Sequence, residues 1–64
     1  MNIIKKVRQD KAMTIRELAR ISEVSASYIS ELENDSENKK NPTKEKMEKI
    51  AEALQRTVPE IFYQ

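Results

Sequence analysis

The stretch TIRELARISEVSASYISELEN, residues 14–34, predicts two short helices joined by a tight turn. Thr14 followed by Glu17 gives the capping-box pattern that opens a helix. Ala19 is small, as two closely crossing helices require, and Val24 lies in the turn where it can fill the angle between them. The segment therefore predicts a pair of helices in which the first braces the second.

The second helix of this pair begins after Ser25, a favourable N-cap, and Ile29 and Leu32 anchor it to the rest of the domain. Its other side is predicted to stand free. A helix about 10–12 Å across fits the major groove of DNA, which is about 12 Å wide. The spacing therefore favours double-stranded DNA as the partner, although the turn has no glycine and the helix carries carboxylates.

Three further helices are predicted from caps and apolar spacing, and a polar segment before the fourth predicts a loop. The helices are expected at residues 2–10, about 43–55 and about 58–63, and the loop at 34–42. The expected fold is all-α, a compact five-helix bundle that forms a single domain over residues 1–64, with the two-helix motif at about 15–34. Its predicted core is Ile4, Val7, Met13, Leu18, Ala19, Val24, Ile29, Leu32, Met47, Ile50, Ala51, Leu54, Val58, Ile61 and Phe62.

The composition excludes several classes of site. The 64 residues include no cysteine, histidine or glycine. Disulfides, thiolate or imidazole metal sites, nucleophilic triads and glycine-rich phosphate loops are therefore excluded. We expect no cofactor, metal, small-molecule ligand or enzymatic activity. No apolar run approaches the roughly 18 residues of a membrane span, and the N-terminus lacks a signal core, which predicts a cytoplasmic protein with no membrane partner.

The net charge is only +1, but the charges are unevenly distributed. Residues 1–20 hold six Lys or Arg and two acids, whereas residues 21–38 hold five acids and no base. A second basic stretch begins after the loop's acidic half. Some of these cations must offset DNA phosphates, and those near the ends of the two-helix unit are the best placed. They are Arg16, Lys39, Lys40 and Lys44.

Several spacings together resemble the Cro/C1 family, also called the XRE family. Residues 14–34 are similar to its pattern T-Q-x-x-L-A-x-x-x-G-V-S-x-x-x-I-S-x-x-E-N. NPTKEKMEKIAEAL (residues 41–54) resembles the family's N-P-S/T and the helix that follows it, and TVPEIF (residues 57–62) its short closing helix. The resemblance covers nearly the whole chain, from about residue 4 to 62, and implies a lambda-repressor-like fold.

The resemblance implies a DNA-binding transcriptional regulator, most simply a repressor. Such a protein inserts its third helix, here about residues 25–33, into the major groove of a palindromic operator as a dimer. The positions that match base-contacting or adjacent sites are Ala26, Ser27, Tyr28, Ser30 and Glu31. Thr14, Ser25 and Asn34 are expected to contact phosphates, and Arg8 and Glu33 match a structural ion pair.

Three departures from the family pattern have consequences for the motif. Ile15 replaces a common Gln that can reach both the DNA backbone and the recognition helix, so this link is missing. Glu23 replaces a common Gly where a positive φ is expected, at a cost of about 1 kcal/mol. The loop is about three residues longer than usual. Two roles stay open: Glu31 accepts from cytosine or is simply solvated, and Tyr28 stacks on the sugar-phosphate backbone or packs against the preceding helix.

A small core leaves room for an apolar edge that is shared between subunits. The candidates for this dimer interface are Ile3, Ile61, Phe62 and Tyr63. A different class of function also fits the sequence. The acidic run could make the same fold a protein-interaction module, an antitoxin or an antagonist of another regulator. A positive rim around the third helix would favour DNA, and a continuous negative face would favour a basic protein.

Overall fold

A computed structural model describes residues 2–35 and 41–63. These residues form helices and connecting turns, without a strand. The helices are α1 (Ile4–Asp10), α2 (Ile15–Ser22), α3 (Ala26–Glu33), α4 (Lys44–Ala53) and α5 (Val58–Phe62). The predicted all-α fold class is confirmed. Among the described helices, none is long and apolar enough to cross a membrane.

Helices α2 to α5 each begin at a hydroxyl residue whose side chain accepts from the N–H three residues later. The caps are Thr14, Ser25, Thr43 and Thr57. In α2 and α5 the bond is reciprocal, because a Glu carboxylate accepts from the N-cap N–H. These backbone hydrogen bonds lower the pKa of Glu17 and of Glu60. The cap chemistry of the sequence therefore sets where these four helices start.

The start of α1 differs from the prediction. The helix begins at Ile4, slightly later than the start expected at about Asn2, and the Ile3 N–H donates to the carbonyl of Ile61 at 3.1 Å. Asn2 still contributes, since its Oδ1 accepts from the Ile4 N–H at 3.2 Å. Its Nδ2 also donates to the carbonyl of Leu32 at 2.9 Å. The residues before α1 thus join α1, α3 and α5.

The core lies between the helices, and α2 packs against both α3 and α4. Its ten buried apolar side chains were all predicted: Ile4, Val7, Leu18, Val24, Ile29, Leu32, Ile50, Ala51, Leu54 and Ile61. Four other predicted members pack against this cluster while partly exposed: Met13, Ala19, Val58 and Phe62. Met47 is half-buried. The apolar spacing of the sequence therefore identified the core that holds α3 in place.

Three helix ends use a left-handed residue that is not glycine. Ala12, Glu23 and Gln55 have φ values of 54°, 61° and 58°. A β-carbon in this region clashes with the following carbonyl oxygen, at a cost of about 1–2 kcal/mol per residue. Glu23 is the position at which the sequence predicted a positive φ. A chain without glycine thus accepts strain at these ends.

We predict that Glu23→Gly raises the free energy of unfolding by about 0.5–1 kcal/mol. Glycine removes the left-handed strain, and the greater freedom of the unfolded chain cancels part of that gain. Urea unfolding followed by circular dichroism measures the change. The matched control is Glu48→Gly, an exposed position inside α4, where glycine should lower stability by a similar amount. A loss of stability in Glu23→Gly would contradict the assigned strain.

Candidate nucleic-acid interface

The turn between α2 and α3 is closed by a buried hydroxyl and a buried valine. Ser22, the last residue of α2, is 3% exposed, and its Oγ accepts from the Val24 N–H at 3.3 Å. Glu23 adopts the left-handed conformation, and Val24 points into the core. Ser25 then caps α3 by accepting from the Tyr28 N–H at 3.1 Å. These contacts fix where α3 starts and the direction in which it leaves the turn.

Helix α3 has a buried side and an exposed side. Ile29 and Leu32 are buried, with 0% and 2% exposure. Ser27, Glu31 and Asn34 are exposed and follow one another at intervals of four and three residues. This spacing places them on one face of the helix, which we call the α3 outer face. It presents a hydroxyl, a carboxylate and an amide.

The five predicted base-contacting residues divide by exposure. Ser27 and Glu31 are exposed on the α3 outer face, whereas three are half-buried on its flanks: Ala26, Tyr28 and Ser30. The carbonyl of Ser30 accepts from the Asn34 Nδ2 at 3.0 Å, at the end of the helix. Helix α3 carries no Lys or Arg. Cations that meet a DNA backbone around it must come from other elements.

The predicted phosphate-contacting residues are exposed at the starts of helices or at the end of α3. Thr14 and Ser25 use their hydroxyl oxygens to cap α2 and α3, which leaves the hydroxyl hydrogen available as a donor. Arg16 and Lys44 are exposed in the first turns of α2 and α4. Lys39 and Lys40 lie outside the described residues.

Arg8 and Glu33 form a bidentate ion pair between α1 and the last residue of α3. Arg8 Nε lies 2.8 Å from Glu33 Oε2, and Nη2 lies 3.0 Å from Oε1. The two side chains are 11% and 4% exposed. The hydrogen bond to Glu33 raises the pKa of Arg8, and Nη1 donates to the Met13 carbonyl at 2.8 Å. Glu33 is therefore directed away from the α3 outer face.

The Tyr28 ring lies on the flank of α3 that meets α4. It packs against the core, and the Lys46 ammonium lies 4.2 Å from its centroid. This distance is within the range of a cation–π contact. Lys46 also lines a groove between the α2–α3 turn and α4, which we call the turn–α4 groove. Its other lining residues are Glu23, Val24, Ser25, Thr43, Glu45 and Lys49.

The predicted dimer edge is only partly available as surface. Ile3 and Phe62 are half-buried, and Tyr63 is 65% exposed. Ile61, which the sequence placed in the core as well as at this edge, is fully buried and belongs to the core cluster. The Ile3–Ile61 backbone bond brings the remaining candidates to one end of the molecule.

Sequence reasoning missed three residues that shape this region. Ser22 carried a weak signal, since a serine two residues before Val24 can form a local side-chain turn. The contact from Asn2 to Leu32 spans thirty positions, and the Lys46–Tyr28 contact joins two helices. Such tertiary contacts leave no local pattern in a single sequence.

The chain matches a known family over nearly its whole length. A family model described as "Helix-turn-helix", of the Cro/C1 or XRE type, covers residues 4–61. No curated protein and no solved structure gives a match. In residues 2–35 and 41–63, no group of acidic side chains could hold a metal ion.

We predict that Arg8→Ala lowers the free energy of unfolding by about 3 kcal/mol, because it leaves the buried Glu33 charge without its partner. Replacing both residues, as Arg8→Met with Glu33→Leu, should recover most of the loss. Urea denaturation measures both. Lys5→Ala, at an exposed position on α1, is the control and should change stability by about 0.5 kcal/mol or less. Equal stability of Arg8→Ala and the parent would reject this role.

Proposed function

The chain belongs to the Cro/C1-type helix-turn-helix family of DNA-binding regulators, which is not an enzyme family, and we propose that it acts as a repressor on a palindromic operator. The observation that carries this proposal is the exposed α3 outer face on a helix whose opposite side is locked into the core. Such a helix can enter the major groove without rearrangement of the domain.

Three side chains would meet the base edges most directly. Ala26 offers a methyl group suited to the thymine methyl, and the Ser27 hydroxyl can donate or accept. Glu31 can accept from the N4 amino group of cytosine. Small residues at the start of α3 allow the helix backbone to approach the bases closely. Ser30 and Tyr28, on the flanks, lie nearer to the sugar-phosphate walls of the groove.

Affinity would come from cations outside α3. Arg16 and Lys44 are exposed in the first turns of the helices on either side of it in the sequence. Thr14 and Ser25 add hydroxyl donors, Asn34 adds its amide, and Lys39 and Lys40 would extend the set. Phosphate contacts of this kind position the protein and make binding depend on salt.

A homodimer follows from the proposal of a palindromic operator. Its interface would use the edge formed by Ile3, Phe62 and Tyr63, which leaves α3 of each subunit free. Two-fold symmetry places equivalent helices about 34 Å apart, which is one turn of DNA.

Selection of bound sequences from random duplex DNA, at a stated salt concentration, tests the proposed function. We expect a palindromic consensus whose half-sites are centred about 10 base pairs apart. The chain with Arg16→Gln and Lys44→Gln is the control and should enrich the same consensus with lower affinity. Failure to enrich any sequence would overturn sequence-specific binding. Enrichment of a single half-site would overturn the dimer and leave DNA binding intact.

We predict that Glu31→Gln relaxes the preference for cytosine at one base pair in each half-site. The amide loses the carboxylate's exclusive acceptor character, and the discrimination should fall by about 1–3 kcal/mol. Competition binding with duplexes substituted at single positions measures it. Glu48→Gln, an exposed carboxylate on α4, should leave every preference unchanged. Unaltered base preference in Glu31→Gln would show that the carboxylate contacts no base and is simply solvated.

One exposed patch favours a protein partner as a second candidate. Ile21 is 47% exposed at the end of α2. It lines a shallow cavity with Glu23, Glu52 and Lys49. The two carboxylates outnumber the one lysine, so this patch suits a partner with basic and apolar groups. If random duplexes give no enrichment, this interpretation becomes the leading one.

A further inference from the structure

We infer that Lys46 is a phosphate-contacting residue of the DNA interface and that Tyr28 is its positioning residue. This inference rests on the proposed function and deepens it, because it assigns a cation that the sequence pattern did not single out. It also gives Tyr28 a role other than contact with a base.

Tyr28 and Lys46 occupy equivalent positions in α3 and α4. Tyr28 and Lys46 are both the third residue of their helices, and each N–H is bonded to the hydroxyl of its cap. The Lys46 ammonium lies 4.2 Å from the centre of the Tyr28 ring. The ring itself is held by packing against the core. The ammonium of a long and flexible side chain is thus held at a defined point beside α3.

The charge of Lys46 remains available to an anion. The ammonium lies against an aromatic ring, which attracts a cation through its quadrupole without neutralising it. Lys49, the other lysine of the turn–α4 groove, differs in this respect. Its Nζ lies 3.3 Å from the Glu45 carboxylate, one helical turn away. The groove therefore holds one lysine that is paired with a carboxylate and one that is held by a ring.

The position of this cation matches the position of a DNA backbone. A helix that fills the major groove has a sugar-phosphate strand along each flank. Tyr28 directly follows Ser27 of the α3 outer face, and its ring lies on the flank toward α4. The ammonium above that ring therefore lies beside the groove-filling helix, where a phosphate would run. Because α3 supplies no cation of its own, this contact adds charge close to the bases.

Salt dependence of binding to the selected duplex tests the inference. A plot of the logarithm of affinity against the logarithm of salt concentration has a negative slope. Its absolute value, which we call the slope below, falls by about 0.9 for each phosphate that is no longer neutralised. We expect Lys46→Gln to lower the slope by about that amount and Lys46→Arg to retain it. Tyr28→Leu should lower the slope as Lys46→Gln does, and Tyr28→Phe should keep the parent slope because the ring remains. The double variant Tyr28→Leu with Lys46→Gln should show no greater fall in slope than either single variant.

Lys49→Gln is the matched control, since it removes an equal charge from the same groove, and its slope should stay near that of the parent. Thermal unfolding of each variant shows that it is folded at the temperature of the titration. An unchanged slope in Lys46→Gln would overturn the phosphate contact, and an equal fall in Lys49→Gln would reduce it to a general charge effect. An unchanged slope in Tyr28→Leu would overturn the positioning role. Because the parent must first bind a selected duplex, failure of the proposed function is seen separately.

Discussion

The angle at which α3 leaves α2 is the constraint on which the candidate interface depends. Four consecutive residues set it: Ser22 through its buried hydroxyl, Glu23 through a left-handed backbone, Val24 through burial, and Ser25 through its cap. Ile29 and Leu32 then hold the helix at that angle. Because Ile29 and Leu32 fix the core side of α3, Ser27, Glu31 and Asn34 on its opposite side are exposed. The outer face is thus a product of packing.

Local rules account for most of the fold. The caps at Thr14, Ser25, Thr43 and Thr57 are short-range hydrogen bonds, so the sequence alone locates the helices that follow them. Burial is also predictable, because helical spacing places apolar residues on one side of each helix. All ten buried apolar residues of the described chain were predicted. Ile61 was assigned both to the core and to the dimer edge, because spacing in a five-residue helix does not separate the two. The bonds from Asn2 to Leu32 and from Ile3 to Ile61 were not predicted, because they join residues that are far apart in the sequence.

The candidate site was less predictable than the fold. Exposure of Ser27 and Glu31 follows from helical spacing, since Ile29 and Leu32 define the buried side. The ion pair of Arg8 and Glu33 was expected from the family resemblance alone. In the structure, Arg8 Nε lies 2.8 Å from Glu33 Oε2. The Lys46–Tyr28 contact depends on how two helices approach each other, which no local pattern encodes. The base-contacting and phosphate-contacting roles remain proposals that require DNA.

Two of the strained helix ends, at Ala12 and Gln55, offer a possible gain in stability that lies apart from the α3 outer face. Ala12 and Gln55, at the ends of α1 and α4, are far along the chain from α3 and could be relieved without altering its side chains. Changes of operator preference require substitutions on α3, and most substitutions destabilise a small domain. Compensating replacements at these ends could absorb that loss. The absence of glycine therefore bears on evolvability. Substitutions on α3 could change the preferred operator while glycine at Ala12 or Gln55 restores the lost stability.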